Sequence, residues 1–420
     1  MRLPNLRFVL LWLTAGLWLP VLTAFLFAEE NDSDAWSQYR GPNRNGISNT
    51  QNLATEWPQE GPKQLWKTAI GTGYSTIVVS GNKFYTMFAE DSTEFLACFS
   101  ESNAAEIWRL PVGKMFTDEF GNGPRSTPAI GNEQVFALGS TGNFFAVDKN
   151  SGEILWEKSF PEEFDSKVPR RGFSTSPLVE DDMVIIETGG DEGEAISAFN
   201  KENGEMLWST FDGSPGYSSP VAITINNSRQ FIFRNFFRRD TSLKSHVFAL
   251  SPAGDVIWQH ESSGIVIAMP VVVEQDKIFI SSSNENGTLF QVLQDESGGF
   301  SAKEIWSRPT LKNHFNSSIY HNGYLYGFSN ATLKCIDAVT GKPQWAKRGL
   351  GKGSLVLADG RLVILSDKGK LVLAEASPER YNEISAFQAL IGKSWTMPTV
   401  VGGKVYLRNL AEMACYDLRK

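Results

Sequence analysis

The eleven residues AVDKNSGEILW, Ala146 to Trp156, decide how the rest of the chain is read. An apolar pair, Ala146 and Val147, runs into Asp148. Four turn-forming residues and a carboxylate follow, Lys149 to Glu153, and then a short apolar run ends in Trp156. Two strand-type runs joined by a glycine-bearing loop of this length form a hairpin. Aspartate at the entry accepts hydrogen bonds from backbone N–H groups ahead of it, and Gly152 takes a positive φ without a Cβ clash. The cassette recurs as AFNKENGEMLW (Ala198–Trp208), ALSPAGDVIW (Ala249–Trp258) and CIDAVTGKPQW (Cys335–Trp345). A decayed copy, ACFSESNAAEIW, ends at Trp108.

Alignment on the closing tryptophan gives Trp66, Trp108, Trp156, Trp208, Trp258, Trp306 and Trp345, at intervals of 42, 48, 52, 50, 48 and 39 residues. That period fits a four-stranded propeller blade and exceeds the common helical and leucine-rich repeats. Each unit opens on a small-residue strand, such as STPAI from Ser126, TSPLV from Thr175, SSPVAI from Ser218 and AMPVVV from Ala268. A second strand and the hairpin cassette complete the four. Seven units run from about Tyr74 to Leu390, with Phe387 where the seventh would carry its tryptophan. The stretch Trp395–Tyr416 supplies three more strands and stops, while QLWKTAI, Gln64–Ile70, is a tryptophan strand without partners. Pairing the two closes a ring and removes two exposed edges. The expected fold is all-β, an eight-bladed propeller whose last blade takes an N-terminal strand; seven blades is the alternative. Residues 1–28 are a signal peptide or anchor, 29–64 an irregular lead-in that leans on the propeller, and 65–420 the propeller itself.

Composition agrees with a large buried core: 41% of the 420 residues are hydrophobic and 12% aromatic. The formal charge is −8, and it becomes −10 without Arg2 and Arg7, which argues against a general nucleic-acid binder. Those two arginines precede an apolar run, Phe8–Phe27, that reads as an export signal, cut after Ala28 or kept as an anchor. The chain is therefore expected in the periplasm or outside the cell. Cys98, Cys335 and Cys415 occupy the place that alanine holds in other cassettes, so all three read as buried thiols on separate repeats, too far apart for disulfides.

The repeated A-x-D-x-x-T-G-x-x-x-W hairpins resemble those of the pyrroloquinoline-quinone (PQQ) superfamily of quinoprotein alcohol dehydrogenases. That superfamily also holds the propeller subunit of the outer-membrane barrel-assembly machine. WSQYRGPNRNGIS (Trp36–Ser48), GYST (Gly73–Thr76), NGPRSTP (Asn122–Pro128) and PGYSSP (Pro215–Pro220) further resemble exported PQQ-like propellers of planctomycetes and related bacteria. The resemblance spans everything after the signal and implies the fold more strongly than any activity. Two features depart from it: the dehydrogenases carry an adjacent Cys–Cys pair against the quinone, and the assembly subunit is typically a lipoprotein. Here no two cysteines adjoin and none lies near the signal.

Standard catalytic motifs are missing: there is no H-E-x-x-H, G-x-S-x-G or P-loop, and His246, His260, His314 and His321 lack ligand spacing. The acidic loop Asp191–Glu194 lacks the order of a calcium loop. FRNFFRRD, Phe233–Asp240, reads as an insertion packed on its own blade. The site candidate is geometric. Residues just ahead of each inner strand ring one mouth of the channel: Tyr74, Arg125, Phe173, Tyr217, Ile267, Phe315, Ser354 and Trp395. Arg125 is the formal charge in that ring, with Arg170 and Arg171 close by. Such a rim suits a planar anion, a quinone tricarboxylate or a sugar acid. In the alternative, Arg125 pairs with Asp118 or Glu119 of its own loop; Arg40 and Arg44 pin the lead-in. The leading expectation is a non-catalytic binding or scaffold protein that meets an envelope protein or glycan. The second, implied by the resemblance, is an oxidoreductase using PQQ with calcium.

Overall fold

The computed structural model describes residues 35–239 and 242–420, with the side chains of 236–244 left aside; the expected export segment lies outside the described residues. Eight four-stranded antiparallel sheets surround a central channel, and one of them gains a fifth, lead-in strand. The innermost strands, taken as blades one to eight, are Val78–Ser80, Ala129–Ile130, Leu178–Glu180, Val221–Ile225, Val271–Val273, Ile319–His321, Ser354–Ala358 and Thr399–Val401. Within a blade the chain moves outward strand by strand, as in Ala129–Ile130, Gln134–Leu138, Asn143–Asp148 and Ile154–Ser159. Closure follows the expected route. Gln64–Ala69 is the outermost strand of the eighth blade, antiparallel to Glu412–Asp417 with Trp66 opposite Cys415.

The core lies between blades. Val78, Tyr85, Met87 and Leu96 of the first blade pack on Val135, Ala137, Phe145 and Val147 of the second. The cassette explains how neighbours lock. Asp148 Oδ1 accepts the N–H groups of Asn150 (2.9 Å) and Ser151 (2.7 Å), which turns the hairpin and leaves Gly152 at φ +77°. A Cβ on Gly152 would stand 2.7 Å from Trp108 of the preceding blade. The same holds for Gly204 against Trp156 and Gly254 against Trp208. Each indole also donates into the next hairpin: Trp156 Nε1 to Lys201 O (3.0 Å), Trp208 Nε1 to Pro252 O (2.9 Å) and Trp66 Nε1 to Glu101 O (2.8 Å). Trp108, Trp156, Trp208 and Trp306 thus rest on a glycine of the next hairpin while Trp66 meets one without it, and each such dock is worth about 3–5 kcal/mol on removal of the ring. The indole bond does not require the full cassette, since Trp345 Nε1 donates to Ser377 O of the seventh blade (2.8 Å), and one indole departs from the pattern. Trp258 donates instead to Gln230 of its own blade. Phe387, in the tryptophan place of the seventh blade, rests on Gly61 of the lead-in.

The cysteines are free and buried on the third strands of the first, sixth and eighth blades. Cys98 faces Trp108, and Cys335 faces Trp345. Burial pushes their thiols up, Cys98 to about 11 and the other two to about 12.

Residues 36–48 of the lead-in run along the inner strands of the ring, whereas Trp57 and Gly61 meet Phe387 of the seventh blade's outermost strand. Trp36 exchanges backbone bonds with Val79 of the first blade, and Ser37 O accepts from Ile130 of the second. Gln38 holds the Val179 N–H of the third, while Ile47–Ser48 pairs in parallel with Leu357–Ala358 of the seventh. Ser48 Oγ donates to Val400 O of the eighth (2.6 Å). The reason is backbone demand: inner strands are edges whose buried N–H and C=O groups need partners. The side chains of Arg40 and Arg44 are sunk in this contact at 2% exposure each.

Candidate functional site

A cavity of about 470 Å³ opens where the inner strands begin. The loop Met115–Arg125, leading from the first blade to the second, overhangs it. Glu94, buried by its own blade, anchors that loop by accepting the N–H of Phe116 (3.1 Å) and ties it to the second blade through Ser140 N–H (2.9 Å). Within the loop Asp118 accepts the N–H of Phe120 (2.8 Å) and so aims the Phe120 ring outward, 41% exposed.

The walls are aromatic. The Trp395 ring lies 4.6 Å from Phe315, 6.1 Å from Tyr74 in stacked orientation and 6.3 Å from Phe120, centroid to centroid. Tyr217, Ile267 and Met397 continue the lining, and Tyr39 reaches it from the lead-in. Cations cap the ring faces rather than standing free. Arg125 lies 5.7 Å above Tyr74, Arg171 4.4 Å above Phe120 and Lys393 4.5 Å above Trp395. Phe120 O receives both the Tyr74 hydroxyl and Lys393 Nζ (2.8 Å), so three blades' loops are tied at one carbonyl.

Asp118 organises the charge. It pairs with Arg171 at 2.8 Å and Arg125 at 3.4 Å, while Glu119 takes the other side of Arg171 at 2.9 Å. Burial opposes ionisation of Asp118, but the Phe120 N–H and the two guanidiniums outweigh it and hold its carboxyl below the usual range. Arg125 also donates to Gly123 O and Gly121 O, each 3.0 Å. The pairing of Arg125 with Asp118 is thus present in the structure. His314 joins the lining with its Nδ1 buried and unpartnered, and burial followed by the charge of Lys352 lowers its pKa, so the imidazole is neutral at pH 7.

The structure brings together Tyr74, Arg125, Arg171, Tyr217, Ile267, Phe315 and Trp395 at this mouth. Two ring positions go elsewhere. Phe173 is fully buried between the second and third blades, 5.6 Å from Phe160, and Ser174 takes the mouth position instead. The cause is register: Tyr74, Arg125, Tyr217, Ile267, Phe315 and Trp395 each stand four residues ahead of an inner strand, whereas Phe173 stands five ahead of Leu178 and Ser174 four. Ser354 is buried and donates to Thr396 O (3.0 Å). Tyr39, Asp118, Phe120 and His314 were not read from the sequence as lining; they sit on irregular segments with no strand register to place them. Of the FRNFFRRD run, Phe233, Arg234 and Asn235 are buried in the fourth blade, and Arg234 reaches across to pair with Glu285 of the fifth.

The donor set does not match a calcium-held quinone. Asp118, the carboxylate in the lining, is consumed by two arginines, and the cysteines lie in the blades' third strands. No cluster of three His, Cys, Asp or Glu suited to a metal occurs among the described residues. Nor is any helix among the described residues long and apolar enough to cross a membrane.

Comparisons with known proteins agree on the propeller. The chain is 22% identical over 368 residues to the outer membrane protein assembly factor BamB of Shewanella oneidensis, covering 74% of this chain and 88% of that protein. The solved BamB of Moraxella catarrhalis superposes with a TM-score of 0.60 at 12% identity, over 84% of this chain and 99% of that one. A europium-containing methanol dehydrogenase superposes with a TM-score of 0.70, also at 12% identity, over 92% and 99%. At such identities the two superpositions speak for the fold alone. Residues 92–347 match the family PQQ_2, described as outer membrane protein assembly factor BamB, and with its glycine-docked tryptophans in an eight-bladed ring the chain belongs to that family.

Proposed function

We propose that the protein is an exported, non-catalytic binding and scaffold propeller of the cell envelope, presenting its channel mouth to an envelope protein or a glycan. The observation that carries this reading is the state of the charged groups at the mouth. Asp118, Glu119, Arg125 and Arg171 are spent on one another and on loop carbonyls, and they stiffen an aromatic wall. That is the construction of a recognition surface: a rigid aromatic centre with a polar rim. Acid–base work asks for a group within hydrogen-bond reach of a partner. His314, the imidazole in the lining, has neither carboxylate nor hydroxyl on Nδ1. Tyr74, Arg125, Arg171, Tyr217, Phe315 and Trp395 are the residues assigned to binding. The name of the relatives supports an outer-membrane setting, and the periplasm or cell exterior is the expected location.

The second reading, a PQQ-dependent oxidoreductase, draws on one observation: the cavity lies at the channel mouth of a propeller whose fold overlaps that of a methanol dehydrogenase. Titration with PQQ and Ca²⁺ separates the two, following melting temperature and dye reduction with alcohols. The scaffold reading expects no turnover and no saturable shift. Saturable stabilisation accompanied by dye reduction contradicts it.

A further inference from the structure

Each inner strand starts at the mouth, so the connections into inner strands and the turns between second and third strands lie on that face. On the side of blades six to eight these are the segments 309–318, 348–353, 366–369 and 389–398. They carry Lys312, Arg348, Lys352, Lys368 and Lys393, with Asp367 as their acid. None of these cations is held in an ion pair among the described residues. Lys393 leans on Phe120 O and the Trp395 face, contacts that leave its charge uncompensated. Hydrogen bonds join the segments into one surface: Asn316 Nδ2 donates to Gly353 O (2.9 Å), Asp367 N–H to Leu350 O (3.1 Å) and Ser394 N–H to Asp367 O (2.9 Å). Ile391 stands on the last segment with 78% exposure. Its N–H donates to Glu412 Oε1 (2.6 Å) and its C=O accepts from Asn409 Nδ2 (2.9 Å), so a fixed backbone holds the side chain out in solvent.

The opposite side of the same face is acidic. The segments 160–177, 187–195 and 211–220, on blades two to four, carry Glu162, Asp165, Asp191, Glu192, Glu194 and Asp212. Lys167 and Arg170 oppose them, while Arg171 is spent on Asp118 and Glu119. The mouth face is thus split into a basic half with an apolar tip and an acidic half. Against a net charge of −8 the basic half is a local exception, and it sets where an anion is drawn. The split also decides what kind of anion fits. A flat anionic bilayer would meet both halves at once and be repelled by one of them. A glycan offers no large apolar group to Ile391. A narrow acidic stretch of polypeptide lies on the basic half alone, and the acidic half keeps it in register by repulsion.

We propose that the loops of blades six to eight on the mouth face dock an acidic segment of a partner protein, with an apolar side chain of that segment seated on Ile391. The proposal rests on the mouth face being the binding face of a scaffold, and it adds the chemistry of the partner. Three peptides, DEDLEDE, DEDGEDE and the neutral QNQLQNQ, are titrated by calorimetry into the purified protein. DEDLEDE is expected to bind about ten-fold or more tightly than QNQLQNQ, and about three- to ten-fold more tightly than DEDGEDE. Arg348 and Lys368 are exposed, so the double variant Arg348→Glu/Lys368→Glu keeps the fold; it should weaken DEDLEDE about ten-fold or more. Ile391→Ser should erase the advantage of the leucine peptide over the glycine one. Glu192→Lys, on the acidic half, changes the net charge as well and should leave DEDLEDE within about two-fold. The proposal is overturned if DEDLEDE binds no better than QNQLQNQ, or if Glu192→Lys and the Arg348/Lys368 reversal shift affinity by like factors in opposite directions, which would make it an effect of net charge alone. Sedimentation of the protein with phosphatidylglycerol vesicles would also overturn it, by putting a lipid surface in the peptide's place. The PQQ titration decides the scaffold reading separately, so that reading stands if the acid preference alone fails.

Discussion

Glu187 has 0% exposure, and its Oε2 accepts the N–H of Gly216 (2.5 Å) and Asn235 Nδ2 (3.1 Å) while Oε1 has no partner. Desolvation therefore wins over the single backbone bond, and the carboxyl is raised to about 8. The sign follows from linkage. The unfolded chain releases this proton near pH 4.5 and the folded protein only near 8, so Glu187's contribution is whole below pH 4.5 and is lost as pH rises towards 8. Stability should fall by on the order of 2–4 kcal/mol over that interval on this account, and Glu187→Gln should remove that slope. Chemical denaturation at pH 5 and pH 8 measures it; equal slopes in both proteins contradict the assignment. The same scale shows where reading the sequence stopped. Tyr74, Trp395 and Phe315 were legible because each precedes an inner strand at a fixed offset. Phe173 stands one residue further from its strand, so its ring enters the core and Ser174 takes the mouth position. Arg125 was legible as a charge at the mouth, whereas its partner Asp118 is placed by a loop fold that no periodicity announces.

The cassette makes a quantitative claim about elements. Gly204 sits at φ +70° with Trp156 2.7 Å from where a Cβ would be, whereas Gly193 sits at φ +84° with open space around it. Alanine at Gly193 meets backbone strain alone and should cost about 1 kcal/mol. Alanine at Gly204 meets the same strain and also lifts the indole off its dock, so a loss of about 3–5 kcal/mol is expected. Paired urea melts decide it, and equal losses would mean that the tryptophan dock contributes nothing. The elements were the most legible level, since hairpin, tryptophan and spacing repeat and every copy votes on the same reading. The lead-in was the least legible. Its two-residue strand takes a partner 352 residues away, Ser48 with Val400, and its buried Arg40 reaches Met397, 357 residues away. Local pattern carries no information about such pairings.

For the whole molecule, one chain end closes the ring and another part of the same end fills it. The strand at Trp66 completes the eighth blade, and Arg408 bonds across the same seam to Thr86 and Met87 of the first. The repeat thus builds a rigid ring, and what differs between copies is left to line the mouth. Repetition made the fold readable and left the mouth unreadable, because the residues that line it occur once each. Trp395 separates the two roles. It is a tryptophan of the cavity lining, while Trp66, Trp108, Trp156, Trp208 and Trp306 are docked on neighbouring blades. The direct test compares the ¹⁵N-indole NMR spectrum of tryptophan-labelled protein with that of Asp118→Ala, which frees the loop that packs Phe120 on Trp395. Movement of the Trp395 signal with the docked indoles unmoved is the expected result; a still Trp395, or shifts spread over the docked tryptophans, would contradict a mouth built apart from the ring.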